Sequence, residues 1–229
     1  MWAGRHLKKK EIMGSLLTRA IFGASLGVMC SLPAVAQESQ GNWLIRARAV
    51  HLDMANKSDP IPSLAVPRDA ITVNDKTIPE VDISYFFTPH IAAELVLTVP
   101  QKQTVTVEQS ALGGPVDIGS FKHLPPTLML QYHFMPEATV RPYVGAGLNY
   151  TRISSVKLAV PTVGPLQLDN SSFGLALGAG VDIAIAKNWF LNFDVKKVQI
   201  RSDVSQWGQK LSTVKLDPWL FGVGVGYRF

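Results

Sequence analysis

The chain has 229 residues, 47% of them hydrophobic, with one cysteine and a formal charge of +5. Beyond the first forty residues no run approaches the roughly 20 apolar residues that a spanning helix requires, which argues against a helical membrane protein. Much of the positive charge sits near the N-terminus, in Arg5, Lys8, Lys9, Lys10 and Arg19 against Glu11. Without that segment the charge is near neutral, so the basic balance gives no reason to expect a nucleic-acid partner.

Residues 1–36 read as an export signal. A basic start is followed by the apolar stretch from Ala20 to Leu32 and by the small-x-small sequence Ala34-Val35-Ala36. Cleavage is expected after Ala36, with Met1 or Met13 as initiator. Cys30 lies inside this leader, and the bulky Met29 before it suits a lipoprotein signal poorly. A mature chain from Gln37 would then hold no thiol and no disulfide. Residues 37–229 are expected to form a single domain.

From Trp43 onward the chain alternates on a period of two, in segments of about ten residues, the length of a tilted membrane strand. The first segment sets Trp43, Ile45, Ala47 and Ala49 against Arg46 and Arg48. The second sets Val81, Ile83, Tyr85 and Phe87 against Glu80, Asp82 and Ser84. Ala93, Leu95, Leu97 and Val99 oppose Glu94 and Thr98 in the third, and Leu128, Leu130, Tyr132 and Phe134 oppose Thr127, Gln131 and His133 in the fourth.

The fifth has Val144, Ala146, Leu148 and Tyr150 opposite Tyr143, Gly145, Gly147 and Asn149. In the sixth, Phe173, Leu175, Leu177, Ala179, Val181 and Ile183 oppose Gly174, Gly178, Gly180 and Asp182. Leu191, Phe193 and Val195 oppose Asn192, Asp194 and Lys196 in the seventh. The eighth sets Trp219, Phe221, Val223, Val225, Tyr227 and Phe229 against Gly222, Gly224, Gly226 and Arg228.

Short links at Thr88-Pro89-His90, Met135 to Arg141 and Ala186 to Asn188 alternate with long ones at Asp53 to Thr77, Gln101 to His123, Ser154 to Ser171 and Arg201 to Thr213. Short periplasmic turns, long external loops and apolar-out alternation predict an all-β fold, an eight-stranded antiparallel transmembrane barrel of the outer membrane. Trp43, Tyr85, Phe87, Tyr132, Phe134, Trp189, Tyr227 and Phe229 fall near strand ends and suit an interfacial girdle. Phe229 is also expected to engage the barrel-assembly machinery. The rival reading is a secreted sandwich or lipocalin-like barrel, but the polar face of the fifth, sixth and eighth segments is too small and glycine-rich for a water-facing surface.

Several stretches carry a resemblance: Gly41-Asn42-Trp43-Leu44-Ile45-Arg46; Phe121-Lys122-His123-Leu124-Pro125-Pro126-Thr127 leading into Leu128-Met129-Leu130-Gln131-Tyr132-His133-Phe134; Arg141-Pro142-Tyr143-Val144-Gly145-Ala146-Gly147-Leu148-Asn149-Tyr150; and Leu216-Asp217-Pro218-Trp219 with Gly224-Val225-Gly226-Tyr227-Arg228-Phe229. Together they make the chain similar to the OmpW family of outer-membrane barrels. The resemblance implies a narrow, largely apolar passage for small hydrophobic molecules, with lateral release into the membrane. The segment Pro60-Ile61-Pro62-Ser63-Leu64-Ala65-Val66-Pro67 departs from that pattern.

An eight-stranded barrel is just wide enough for its inward side chains to fill it, which disfavours a wide porin channel. Inward glycines at 145, 147, 174, 178, 180, 222, 224 and 226 either leave a slot for an apolar ligand or simply relieve crowding. The external loops are apolar at Ile61, Leu64, Val66 and Ile71, at Ala111 and Leu112, and at Leu158, Val160, Val163 and Leu166. They form either a mouth that captures a hydrophobic solute or hairpins that pack on one another. Phe86, Met129 and Leu220 join Ile61, Leu64, Val66, Leu158 and Leu166 as candidates for an apolar passage.

Inside, Arg46, Arg48 and Arg228 on the neighbouring first and last strands face Glu80 and Asp82 on the second. Glu94, His133, Asp182, Asp194 and Lys196 extend the expected network, which is read as structural because buried charges must be paired. A catalytic set of Ser84 or a loop serine, His133 or His123, and an acid such as Asp82 lacks any nucleophile-elbow or metal spacing, so no enzyme, metal or cofactor is expected. Outer-membrane lipids and a small hydrophobic solute are the expected partners, and a plugged adhesive barrel whose loops bind host or phage surfaces is the alternative function.

Overall fold

The computed structural model describes residues 41–111, 113–160 and 164–229. The expected signal with its Ala36 cleavage site and Cys30, and the loop residues Leu112 and Val163, lie outside the described residues. Eight long strands form the barrel: β1 (Trp43–Asp53), β2 (Lys76–Phe86), β3 (Ile91–Thr98), β4 (Thr127–His133), β5 (Val140–Val160), β6 (Ser171–Ala186), β7 (Trp189–Val198) and β8 (Trp219–Arg228). Each pairs antiparallel with its sequence neighbour. The ring is closed by β1 against β8, from Leu44↔Arg228 to Asp53↔Trp219. Closure leaves no unpaired edge in a medium that cannot hydrogen-bond to the backbone.

Burial runs opposite to that of a soluble core. In β1 every second residue is buried, and those are Leu44, Arg46, Arg48, Val50 and Leu52, while Trp43 and Ile45 face outward. Leu130, Leu175 and Leu177 are about 60% exposed on the outer wall. A soluble sandwich or lipocalin-like barrel would bury those residues, and this wall instead presents them to hydrocarbon. The eight aromatics expected in a girdle all lie at the rim with the short turns. Trp43 against Tyr85 (ring centroids 4.9 Å apart), Tyr132 against Phe134 (5.2 Å) and Trp189 against Tyr227 (5.0 Å) pack edge-on or tilted along it. Tyr150, Phe173 and Trp219 mark the opposite rim.

The long connections are largely β-structure. Gln101–Val107 pairs with Val116–Leu124, which pairs with the upper half of β5. Gly164–Leu168 bridges the end of β5 to Arg201–Gln206, which pairs with Gln209–Lys215, itself paired with Lys57–Ser58. Ile71–Val73 joins Gln101–Val107. The remaining gap, from Lys57–Ser58 to Ile71–Val73, is spanned by side chains and turns: Asp69 N–H donates to the Ser58 carbonyl (3.0 Å), Ser58 N–H to Asp69 Oδ1 (3.0 Å) and Val73 N–H to Asn56 Oδ1 (2.8 Å). A second ring of paired segments therefore stands above the membrane part. Its wall bends at Gly119, whose φ of +128° and 1.9 Å approach of a notional Cβ to the Lys157 carbonyl oxygen admit only glycine.

Of the apolar loop residues, Ile61, Val66, Ile71, Leu158 and Leu166 are buried inside this upper ring, Leu64 and Val160 partly so, and Ala111 is exposed. Ile61, Val66, Ile71, Val105, Phe121, Ile153, Leu158, Leu166, Val204 and Val214 belong to one cluster. A separate small cluster, Leu44, Phe86, Ala92 and Phe190, closes the barrel at the short-turn end.

Candidate functional site

The interior divides into levels. The upper ring encloses a cavity lined by aliphatic residues, including Ile61, Leu64, Val66, Leu158 and Leu166. It contains about 1010 Å³ of space between side chains, its mouth included. The hairpins thus pack on one another, and the packing leaves a greasy hollow. Beneath it lies a smaller cavity of about 420 Å³, again counting open space, bordered by Leu52, Ile78, Val96, Val198, Ile200 and Leu220 but also by Glu80, His123, Asn149 and Lys196.

Of the remaining passage candidates, Leu220 borders the lower cavity, whereas Phe86 and Met129 lie elsewhere. Phe86 sits in the floor at the short-turn end. Met129 fills the lumen, with its Cε 3.2 Å from where a Cβ on Gly145 or Gly178 would be. The inward glycines therefore leave no empty slot. A Cβ on Gly147 or Gly224 would fall about 2 Å from the carbonyl oxygen of Leu128 or Ala47, and one on Gly180 would meet the Tyr143 hydroxyl at 2.4 Å. Glycine relieves crowding here, and the volume it yields is taken by Tyr143, Met129, Arg46 and Arg48.

Below the lower cavity the lumen is crossed by charge. Arg46 donates from Nη1 to Glu94 (2.9 Å) and to Ser84 Oγ (3.0 Å), and from Nη2 and Nε to the two oxygens of Asp182 (2.6 and 3.1 Å). Arg48 is paired with Asp82, with Glu94 (3.1 Å), with Asp194 (3.0 Å) and, at 3.6 Å, with Glu80. Lys196 closes the set on Glu80 (3.0 Å) and Asp194 (2.7 Å). Each of these cations therefore neutralises carboxylates from more than one strand, the arrangement that lets charge persist away from water.

Two expected members sit differently. His133 makes its hydrogen bond with Gln131 (3.3 Å) and stacks near Phe86 and Tyr143. Arg228 donates to the Gly41 carbonyl (2.8 Å) and lies 3.8 Å over the Phe86 ring, at the floor. Three unexpected members complete the set. Tyr143 donates to Asp194 (2.8 Å), Asn192 to Asp182 (2.8 Å) and Gln131 to Glu94 (2.7 Å). Alternation placed all three on the inner face, and their neutral side chains hid them among expected ion pairs. Of the hypothetical catalytic set, Ser84 accepts from Arg46, Asp82 is held by Arg48, and His133 bonds Gln131.

The wall beside the lower cavity is interrupted. Pairing of β3 with β4 ends at Val96↔Thr127 and resumes above at Gln101↔His123. Between them lie Pro100, Pro125 and Pro126, which have no N–H to donate. The Asn149 side-chain amide covers the break, donating to the carbonyls of Pro125 and Pro126 (3.3 Å each) and to Thr127 Oγ1 (2.8 Å). Val96, Thr98, His123, Pro125 and Thr127 flank this seam and line the lower cavity.

A closed eight-strand barrel with these features matches the family model described as OmpW family over residues 39–229. The chain belongs to the OmpW family. It is 38% identical to the outer-membrane protein y4mB of Sinorhizobium fredii, over 98% of this chain and 97% of that one. Outer membrane protein W of Vibrio cholerae is 32% identical over 90% of the chain and 96% of its own length. The dibenzothiophene metabolism operon protein PahQ of Pseudomonas aeruginosa is 26% identical over 86% and 92%. Among solved structures, the outer membrane protein OprG of Pseudomonas aeruginosa superposes with a TM-score of 0.70 at 28% identity, covering 84% of this chain and 97% of OprG. This OmpW-family protein is thus an outer-membrane β-barrel embedded in lipid.

Proposed function

We propose that the protein carries small apolar molecules from the cell exterior into the outer membrane, taking them into the upper cavity and releasing them sideways at the lower one. The observation that carries this reading is the aliphatic cavity held above the membrane by the second ring. A solute that buries roughly 200 Å² of apolar surface there gains on the order of 5 kcal/mol. Going straight down would mean parting buried ion pairs, at about 3–5 kcal/mol for each partner lost. Going sideways meets the proline seam, where few backbone hydrogen bonds have to open. The link of PahQ, by its name, to an operon for an aromatic sulfur heterocycle supports the same class of cargo. The reading includes no catalytic step.

The test is uptake of naphthalene by cells with and without the protein, together with a Val105→Trp variant that fills the upper cavity. Faster uptake with the wild type, lost in the variant, is the expected result. Equal uptake in all three would remove the transport reading and favour an adhesive or structural barrel.

A further inference from the structure

Among the described residues of the upper ring, Gln103, His123 and Ser202 hold buried polar atoms with no hydrogen-bond partner, and the first two lie together. Gln103 is fully buried and His123 is 1% exposed, and neither the amide of Gln103 nor either ring nitrogen of His123 makes a hydrogen bond. Gln103 lies on the inward stripe of its strand below Val105 and Val107, which line the upper cavity. It is paired with Phe121, another lining residue of that cavity, while Gln101 is paired with His123. Gln103 and His123 are therefore diagonal neighbours, about 7–8 Å apart along the backbone ladder, close enough for two long side chains to share one small ligand group. His123 borders the lower cavity and its ring lies 6.0 Å from that of Phe121. The two form a polar shelf in the wall, Gln103 behind the lining below Val105 and His123 on the border of the lower cavity.

Natural interiors seldom leave buried amide and imidazole groups unpaired, and each such group calls for a reason. We propose that this shelf recognises a single uncharged oxygen function, a hydroxyl or a carbonyl, on an otherwise apolar solute. The inference rests on the uptake reading and narrows its cargo from hydrocarbons in general to mono-oxygenated ones. Both groups have the right chemistry, since a neutral imidazole offers one donor and one acceptor and a glutamine amide offers both. Burial, with Lys76 adding to it, pushes His123 down to about 4, so it is uncharged at neutral pH. The charged residues bordering the lower cavity, Glu80 and Lys196, are paired with each other, which leaves nothing there to attract an ion. An apolar body would rest on the aliphatic wall above while its oxygen meets the shelf.

The experiment compares binding of 1-naphthol and naphthalene to the purified protein in phosphatidylcholine vesicles, with protein-free vesicles correcting for partition into lipid. The wild type should hold 1-naphthol about tenfold more tightly, because a site with polar groups to satisfy discriminates against the analogue lacking the oxygen. Gln103→Leu with His123→Leu should lower 1-naphthol affinity about tenfold and leave naphthalene binding equal or tighter, with heat-dependent electrophoretic mobility confirming the folded barrel. His123→Gln, which keeps a donor and an acceptor, should retain most of the preference. Naphthalene binding with no preference for 1-naphthol, or a preference unchanged in the double leucine variant, would overturn the shelf and leave the uptake reading standing. Binding of neither probe would overturn both.

Discussion

Arg46 and Asp182 meet across the lumen through two parallel hydrogen bonds, 2.6 and 3.1 Å long, although they stand on β1 and β6, which are not neighbours in the ring. A forked guanidinium–carboxylate pair of this kind fixes direction as well as distance. It ties walls three strands apart together at the level where the lumen is filled.

Arg46→Met should destabilise the barrel by about 3–5 kcal/mol, because it strands the buried carboxylate of Asp182 and leaves Glu94 with Arg48 as its one remaining cationic partner. Arg46→Met with Asp182→Leu should recover part of that loss, since it removes one stranded charge together with its partner. Urea midpoints of the folded-to-unfolded shift on electrophoresis, measured in detergent, give both values.

Gly224→Ala should impair folding far more than Gly222→Ala. The new methyl at position 224 would meet the Ala47 carbonyl oxygen at 2.0 Å, whereas at 222 its nearest neighbour is the flexible Arg48 Cδ at 3.3 Å. The yield of heat-modifiable protein in outer-membrane fractions distinguishes the two.

Acid should weaken the upper ring through His123, which lies above the Tyr150 rim. Its folded value of about 4 is below the usual 6.5, so the unfolded chain binds the extra proton first. The stability it contributes is complete above about pH 6.5 and is lost as the pH falls toward 4. Between pH 7 and 4.5 the wild type should lose more thermal stability than His123→Leu. The difference between the two melting shifts reports this group alone.

Much of this was legible in the sequence because barrel strands write their two faces as alternate residues. Arg46, Asp82 and Glu94 each stand among outward apolar neighbours, and that was enough to place them inside. Which of them meet was not legible, because the partner of Arg46 on β6 is brought close by closure of the cylinder and by no local spacing. The upper ring was obscured for a related reason. Gln101, Gln103, Val105 and Val107 alternate just as a membrane strand does, but polar Lys102, Thr104 and Thr106 on the other face gave no membrane signal, so the segment read as loop. The same alternation could have revealed Gln103 and His123 as inward polar residues. The seam was visible only as prolines, and its meaning depends on Pro100, Pro125 and Pro126 falling in one gap of the ladder.

Sideways release at the seam is the step on which uptake turns. Replacing Pro125 and Pro126 together by valine would restore two backbone donors to the seam and stiffen it, while leaving the aliphatic wall of the upper cavity in place. Naphthalene uptake by cells holding equal amounts of folded wild-type and doubly substituted protein should fall, in the variant, to the level of cells without the protein. Uptake as fast as that of the wild type would contradict release through this seam.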